Sequence, residues 1–514
     1  MSLTLTEAVA LLKEHDLLVT VVNQNATEFQ AVEYDSRKVK TANTLFFCKG
    51  VGFQPQYLAL AVEKGAVAYV AMQAYDQPVT GIIVKDDQKA MALLSAAFYD
   101  YPQNELFVIG ITGTKGKTTT AYFTTNALET STAKKTALIS TLNTVLGPKP
   151  DQTFKSKLTT PESMDLFADM REAVDNGMNH LVMEVSSQSY LKNRVYGLKF
   201  DVGIFLNISP DHIGRNEHPT FANYLYCKEQ LLVNAKVCII NREIEVFDQL
   251  LQAAKATTDP DKIFVFSQTE QPGVDFVYHS LESNLAESKF ELQAKSQKAQ
   301  ELALTGEYVA SVPGDYNEGN ATAAIISAGL AGATAPMIQA ALKQTHIPGR
   351  MEVLPTKGHG TVYIDYAHDY ASVKRLVAFL RAQTQTKEDR VIVVLGATGD
   401  KGISRRQGFG KALSEERADY VILTTDDPGF EDPKAIAEEI DRHIDHDQVG
   451  HVEYIADRAS AIEKAITMSK NDMVVIAGKG ADAYQKVKGQ DLPYPSDLVV
   501  AKQVIEKLGA QPKK

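Results

Sequence analysis

A run of apolar and β-branched residues, Leu106-Phe107-Val108-Ile109-Gly110-Ile111, passes through Thr112 into Gly113-Thr114-Lys115-Gly116-Lys117-Thr118 and then into a helical pattern. A buried strand that turns through glycines into a helix opens an α/β nucleotide-binding domain. The spacing departs from G-x-x-x-x-G-K-[ST], because Ile111 stands five residues before Gly116. The physics survives the mismatch. Gly113 and Gly116 let backbone N–H groups turn toward a phosphate, Lys117 offers a point charge, and Thr118 reaches a Mg²⁺ ion. The positive end of the following helix faces the anion. The segment Gly113, Thr114, Lys115, Gly116, Lys117, Thr118 and Thr119 is therefore expected to hold ATP. A plain Gly/Thr-rich turn is the alternative, and three consecutive threonines after the lysine weaken it.

Further strands continue the alternation. Leu181 to Val185 and Val202 to Asn207 read as buried strands ending in polar residues, and ligands collect at such carboxyl ends of parallel sheets. Before them, Leu45 to Phe47 and Ala68 to Val70 are short strands of a small first domain that closes at Tyr101-Pro102-Gln103-Asn104, read as a linker. Beyond His346-Ile347-Pro348-Gly349-Arg350 a second series begins, with strands at Val362–Asp365, Val391–Leu395, Val421–Leu423 and Met473–Ala477. The fold class is α/β in three domains. These are a small N-terminal domain (1–105), a central P-loop-type ATPase domain with a mostly parallel sheet (106–345), and a Rossmann-like C-terminal domain (346–514).

A chain of 514 residues with net charge -11 and no Lys/Arg run lacks the basic footprint that nucleic acid or an anionic membrane requires. Cys48, Cys227 and Cys238 form no Cys-x-x-Cys pair, which points to a reducing compartment, the cytoplasm. The first residues read as an amphipathic helix rather than a signal peptide. Uncharged Asn320 to Leu342 is interrupted by Pro336 and reads as two packed core helices, not a membrane span.

Glu184, at the end of an apolar strand, is placed for Mg²⁺; alone it would read as an exposed strand-end acid. Asp211-His212 is a second polar pair at a strand end, of low specificity. Lys228 sits in a helical pattern, where the bland reading is a solvated lysine.

In order and spacing these motifs resemble the Mur ligases of peptidoglycan precursor synthesis across nearly the whole chain. Gly110 to Thr120 looks like that family's ATP loop. Glu184-Val185-Ser186-Ser187, Asn207 with Asp211-His212, and Lys228 look like its central motifs. Asn317 and Asn320 resemble its nucleotide-contacting asparagines, and Pro348 to Glu352 with Asp365 to His368 match the start of its C-terminal domain. Tyr34-Asp35-Ser36-Arg37 resembles the uridine-binding domain of the members that add the third amino acid; a turn with a surface ion pair is its plain alternative.

The resemblance implies an ATP-dependent amide ligase in cell-wall synthesis, and through that a link to cell shape and division. ATP would phosphorylate the free D-Glu carboxylate of UDP-N-acetylmuramoyl-L-Ala-D-Glu, and an amine would then attack the acyl phosphate. It assigns Lys117, His212 and Lys228 to catalysis. Thr118, Glu184, His212 and a carbamylated Lys228 would hold metal. Asn317, Asn320 and Arg350 would join the ATP loop, and Ser36, Thr159, Thr160, Ser187 and Arg194 would contact the UDP-sugar. The partners are that nucleotide and an amino acid, and the expected state is a monomer.

Members that add meso-diaminopimelate carry Asp-Asn-Pro-Arg, whose arginine grips the extra carboxylate. Here the stretch is Thr425-Asp426-Asp427-Pro428-Gly429, and Gly478-Lys479-Gly480-Ala481-Asp482 replaces their Gly-Lys-Gly-His-Glu. Asp426, Asp427 and Asp482 would attract a side-chain ammonium, so L-lysine is the expected substrate, ahead of ornithine or meso-diaminopimelate. For Glu431 a solvated loop acid is the favoured reading. Two alternatives stay open. A folylpolyglutamate-synthase-like ligase leaves the Asp-Ser-Arg domain unexplained, and a nucleotide switch leaves the C-terminal motifs unexplained.

Overall fold

The structure, a computed structural model, describes residues 1–510 apart from 51, 134, 215, 216, 285, 313, 315, 387 and 401. The chain divides into two compact units. One comprises residues 1–279, 290–308 and 318–344; the other comprises 280–289, 309–317 and 345–514.

The first unit begins with the amphipathic helix Leu5–Glu14. Its start is a capping box in which Thr4 Oγ1 accepts from Glu7 N–H at 3.2 Å while the Glu7 carboxylate accepts from Thr4 N–H at 2.8 Å. The helix buries Ala8 and Leu12 against a five-stranded sheet ordered Leu18–Val22, Thr80–Val84, Ala66–Ala71, Thr44–Phe47, Ala31–Glu33. Only Leu18–Val22 runs antiparallel to its neighbour. Leu45, Phe47, Val70 and Ile82 share this core with Leu94 and Phe98 of the helix Asp87–Phe98. Met164 also belongs to it, so the helix Ser163–Asp175 is packed on that small sheet domain. The stretch expected to be a linker is instead a tight 3₁₀ turn, Pro102–Asn104. Pro102 is buried, because proline presets the turn and fits under the chain as it enters the next strand.

That strand, Phe107–Thr112, lies within an eleven-stranded sheet. His180–Glu184 and Phe200–Phe205 flank it, both parallel, and Ala235–Asn241 and Ile263–Ser267 extend the parallel run. Their near-continuous apolar composition follows from burial on both faces. Glu184 pairs in register with Ile111, and Phe205 with Thr112, so three strands end together at one edge. The helix Lys117–Thr132 leaves from that edge and packs on Ala335–Gln344. The segment read as two core helices is two helices, Tyr316–Leu330 and Ala335–Gln344. Among the described residues no helix is long and apolar enough to cross a membrane. All three cysteines are buried free thiols.

In the second unit a six-stranded sheet runs Glu352–Leu354, Thr361–Asp365, Met473–Ala477, Val391–Leu395, Tyr420–Leu423, Val452–Tyr454. All but the first are parallel, and each strand expected there is present within a residue or so. Met473–Ala477, late in the chain, is inserted between two earlier strands. The order therefore reverses beside it, and a crevice opens at the carboxyl ends.

Asp169, half-buried on Ser163–Asp175, yields a pH test. Burial, and then the neighbouring Asp165 and Glu172 carboxylates, push its carboxyl up to about 7. The unfolded chain releases this proton near pH 4, at about the ordinary aspartate value. The folded state thus holds more protons in between, and the stability tied to this group is lost as pH rises from about 4 to 7. Asp169→Asn is expected to flatten that loss and raise the urea midpoint at pH 8 above wild type. An unchanged midpoint at pH 8 would contradict this.

Candidate active site

The edge where three strands end together holds the glycine loop. Gly116 adopts φ 83°, and a Cβ added there would lie 2.2 Å from Asn320 Oδ1, so the turn admits glycine alone. Asn207, at the end of the neighbouring strand, clamps the loop. Its Oδ1 accepts from Lys115 N–H at 2.9 Å, its Nδ2 donates to Lys115 C=O at 3.0 Å, and its own carbonyl accepts from Thr114 N–H at 3.1 Å. Thr114 Oγ1 lies 2.9 Å from the Tyr224 hydroxyl, and Lys115 pairs with Asp211 at 3.7 Å. Lys117 opens the helix and folds its ammonium back over the loop, donating to Gly113 C=O at 2.9 Å and Thr114 C=O at 3.2 Å. The one-residue departure in spacing therefore leaves the cradle intact. The strand runs on through Thr112, one residue past the apolar run. Thr119 is buried with its neighbour Thr118 under the same turn.

Thr118 Oγ1 donates to Glu184 Oε1 at 2.8 Å. The same carboxylate accepts from Thr141 N–H at 2.8 Å and Thr141 Oγ1 at 3.0 Å, and Thr141 Oγ1 contacts Thr159 Oγ1 at 3.1 Å. At 1% exposure, Glu184 is not a solvated strand-end acid. Thr118 and Glu184 form a hard-oxygen set of the kind Mg²⁺ takes together with water and phosphate oxygens. Among the described residues no three His, Cys, Asp or Glu side chains converge as a metal cluster.

Lys228, on the helix Phe221–Val233, overturns the bland reading for a helical lysine: it is 2% exposed. Its Nζ donates to Gly113 C=O at 2.7 Å and Thr112 Oγ1 at 3.4 Å, and lies 4.9 Å from the Tyr224 ring centroid. Burial, and then the nearby Lys117 ammonium, hold its pKa well below the ordinary lysine value. His212 is exposed, with φ 53°, and its Nδ1 lies 2.7 Å from Glu217 Oε1. It shares this edge with Lys228 through Tyr224, whose ring is 6.4 Å away.

Thr160 and Arg194 come together: Arg194 donates to Thr160 C=O at 3.2 Å and to Glu162 at 2.8 Å. Ser187 turns inward, its hydroxyl 2.8 Å from Nε2 of the fully buried His218, whose Nδ1 is held by Asn223 Oδ1 at 2.8 Å. The half-buried hydroxyl beside Thr160 is that of Ser186, 3.3 Å from Thr160 Oγ1. Ser186 is the N-cap residue and Ser187 the first residue of the helix Ser187–Leu191, so the two hydroxyls leave the chain in different directions. Sequence reasoning missed His218 and Thr141; Ser186 and Glu162 stood in the motifs Glu184-Val185-Ser186-Ser187 and Thr159-Thr160-Pro161-Glu162 without a role of their own. His218 had a usable signal in its place just ahead of the Lys228 helix, five residues before Asn223 in that helix's first turn, whereas Thr141 had none. In the small sheet domain Ser36 is buried, while Arg37 closes on Asp35 at 2.8 Å as the plain surface-pair reading has it, holding that carboxyl at about 2.

In the second unit the crevice is lined by Asp426, Asp427 and Lys479. Lys479, 1% exposed, lies 2.7 Å from Asp427 and 3.6 Å from Asp426. Asp427 also accepts from Lys486 N–H at 2.9 Å, and Asp482 accepts from the Tyr366 hydroxyl at 3.3 Å. Gly478 carries φ 114°, and a Cβ there would meet Asp426 Oδ2 at 2.7 Å. The acids expected to await a substrate ammonium thus already hold one of the chain's own. Glu431 is not a solvated acid either: buried Arg406 grips it at 2.9 Å, so burial of the guanidinium, not catalysis, fixes it. Arg350 lies over the Tyr366 ring at 4.7 Å. Asn317 and Asn320 are both buried on the helix Tyr316–Leu330.

Two family models match this chain: the Mur ligase middle domain over residues 111–328, and the Mur ligase glutamate ligase domain over residues 349–480. The chain belongs to the Mur ligase family. A relative from Limosilactobacillus reuteri (strain DSM 20016), "UDP-N-acetylmuramyl-tripeptide synthetase", is 61% identical over 99% of this chain and 100% of its own length. An Enterococcus faecalis (strain V583) relative, "UDP-N-acetylmuramoyl-L-alanyl-D-glutamate--L-lysine ligase", is 49% identical over 93% of this chain and 92% of its own. Among solved structures, a UDP-N-acetylmuramoyl-L-alanyl-D-glutamate--2,6-diaminopimelate ligase superposes with a TM-score of 0.65 at 24% identity. It covers 99% of this chain and 100% of that one, a likeness of fold. This Mur ligase is an ATP-dependent ligase. The glycine loop lies within the stretch matched by the middle-domain model.

Removing the Lys117 charge should therefore lower kcat by about 100- to 1000-fold, the usual effect of losing one electrostatic donor to a transferring group. Gly116→Ala should abolish nucleotide binding by fluorescence titration, while Gly52→Ala, where an added Cβ meets nothing within 4 Å and φ is not positive, should leave it intact. Nucleotide binding retained by Gly116→Ala would refute the cradle.

Proposed function

We propose that this ligase joins L-lysine to the D-Glu side-chain carboxylate of UDP-N-acetylmuramoyl-L-Ala-D-Glu, forming an acyl phosphate at the expense of ATP. The names of the relatives support the nucleotide substrate. The observation that carries the amino-acid assignment is the arginine-free loop Thr425–Gly429. The loop itself offers no arginine to grip a second carboxylate, and the Arg458 guanidinium behind Asp426 is taken up by Asp497; Asp426 and Asp427 pair with Lys479, and Asp482 acts on the same ammonium. That surplus of negative charge favours a cationic side chain over a zwitterionic one.

In this reading the work is divided among residues 1–105, which take the uridine end through Ser36, residues 106–345, and residues 346–514, which take the amino acid. Lys117 meets the phosphoryl group in transfer, and Asn317, Asn320 and Arg350 add contacts to the nucleotide. Thr159, Thr160, Ser187 and Arg194 hold the sugar-peptide, with Ser187 acting from its bond to His218. Thr118 and Glu184 hold Mg²⁺, and a carbamylated Lys228 with His212 serves a second ion. When bound, the metal neutralises charge developing on the phosphoryl oxygens. The depressed pKa of Lys228 supports its modification, since only the neutral amine is nucleophilic toward CO₂. The protein works in the cytoplasm as a monomer.

Phosphate release in the presence of the UDP-dipeptide and ATP should depend on L-lysine, with ornithine a weaker substitute and meso-diaminopimelate inert. Equal use of L-lysine and meso-diaminopimelate would sink the assignment. Separately, Lys228→Ala should lose most turnover and regain part of it when a short carboxylic acid is supplied. An alanine variant with undiminished activity would dispose of the carbamate.

A further inference from the structure

The residues assigned to the sugar nucleotide leave one feature unexplained. Glu162 occupies the N-cap of the helix Ser163–Asp175, yet its carboxylate makes no capping bond. It reaches away to two cations instead. Arg194 meets Oε1 at 2.8 Å and Lys49 meets Oε2 at 2.6 Å, one oxygen for each. Lys49 follows the strand Thr44–Phe47 of the small sheet domain, so this carboxylate ties that domain to the helix beneath it. The Lys49 ammonium also lies 4.8 Å from the ring centroid of Tyr34, the first residue of the Tyr-Asp-Ser-Arg motif.

Two cations share the Glu162 carboxylate in a place where their side chains are mostly withdrawn from water, and the Asp87 carboxylate, which accepts from Gly50 N–H at 3.4 Å, acts on Lys49 from further off. The side chains of Lys49 and Arg194 are 18% and 9% exposed. Arg194 is not saturated: its Nε is buried without a hydrogen-bond partner, although its other nitrogens are engaged by Thr160 and Glu162. A guanidinium buried with an unused donor costs stability unless a further acceptor arrives. The acceptor that fits is an anion with at least two oxygens, able to span an ammonium and a guanidinium as the carboxylate does.

We propose that Lys49 is a binding residue for the diphosphate of the sugar nucleotide, acting as a pair with Arg194, and that Glu162 is the anion's stand-in until substrate arrives. The proposal rests on the sugar-nucleotide reading above. On displacement, the Glu162 carboxylate has an alternative partner in the N–H groups of its own helix's first turn, where negative charge is favourable. Substrate binding and the attachment of the small domain would then be coupled through one side chain.

The test compares Lys49→Met, Lys49→Arg and Glu162→Gln with wild type. It uses KM for the UDP-sugar-dipeptide in turnover, and titration with UDP and with uridine. Lys49→Met should raise that KM by about 10-fold or more, the scale of one charge-assisted hydrogen bond. KM for ATP should move far less, and Lys49→Arg should restore most of the loss. UDP should weaken in parallel while uridine does not. Glu162→Gln should shift UDP binding in the opposite direction, toward tighter. Loss confined to the full substrate, with UDP unaffected, would overturn the diphosphate as the anion and place a substrate carboxylate there. If Lys49→Met lowers the melting temperature but binds UDP and substrate as wild type does, the pair is only a structural tie and the proposal fails. Wild-type protein that turns over no UDP-sugar would instead refute the underlying reading.

Discussion

The carbonyl oxygen of Gly113 accepts hydrogen bonds from two lysines at once, Lys117 at 2.9 Å and Lys228 at 2.7 Å. Two unit charges about 4 Å apart repel by roughly 4 kcal/mol at the effective dielectric of a protein. Holding both charges at one carbonyl is unfavourable, and the Asp211 carboxylate acts on Lys228 in the opposite sense. The chain resolves this on the Lys228 side, where full burial and the Lys117 charge depress the pKa. Lys117, at the helix start, is only half-buried and holds its ammonium over the loop carbonyls. Much of the surrounding structure serves this arrangement. Tyr224 packs its ring against one lysine and its hydroxyl against the loop; Asn207 fixes the loop from the next strand; and Gly116 leaves room for Asn320.

The same logic recurs at the two other charged sites. A cation pair surrounds one carboxylate at Glu162, and an acid pair surrounds one ammonium at Lys479. Each site holds its buried charge against an internal counter-ion. This is a general solution to burial, because an isolated buried ion is far costlier than a paired one. It also implies that each ligand must compete with a side chain, so affinity reports a difference between two sets of contacts rather than a sum of one.

How much of this was legible in the sequence depends on whether a signal is local. Strand, glycine turn and helix are local, and the loop was readable although its spacing missed the standard pattern. The parallel strands of both large sheets were readable for the same reason, since burial on both faces writes a continuous apolar run. The buried state of Lys228 was not, because a lysine four residues beyond Tyr224 on a helix looks the same whether its face meets water or the underside of a loop. Ser186 and Ser187 show the limit within a single dipeptide: their types are identical, and only their places at a helix start, N-cap and first helical residue, turn one toward Thr160 and the other toward His218.

Tertiary pairings left no trace at all. Lys49 and Glu162 are 113 residues apart, and each reads in isolation as an ordinary surface charge. What exposes them is a conflict of levels. A glutamate at a helix start should satisfy the first-turn N–H groups, and here it does not. Local preference is overruled at Glu162 because Arg194 and Lys49 offer it two charge-assisted bonds in a place of low dielectric, which outweigh the weaker helix-end attraction. Where a chain forgoes a local stabilisation, the interaction that displaced it marks where binding free energy is stored for a ligand to claim.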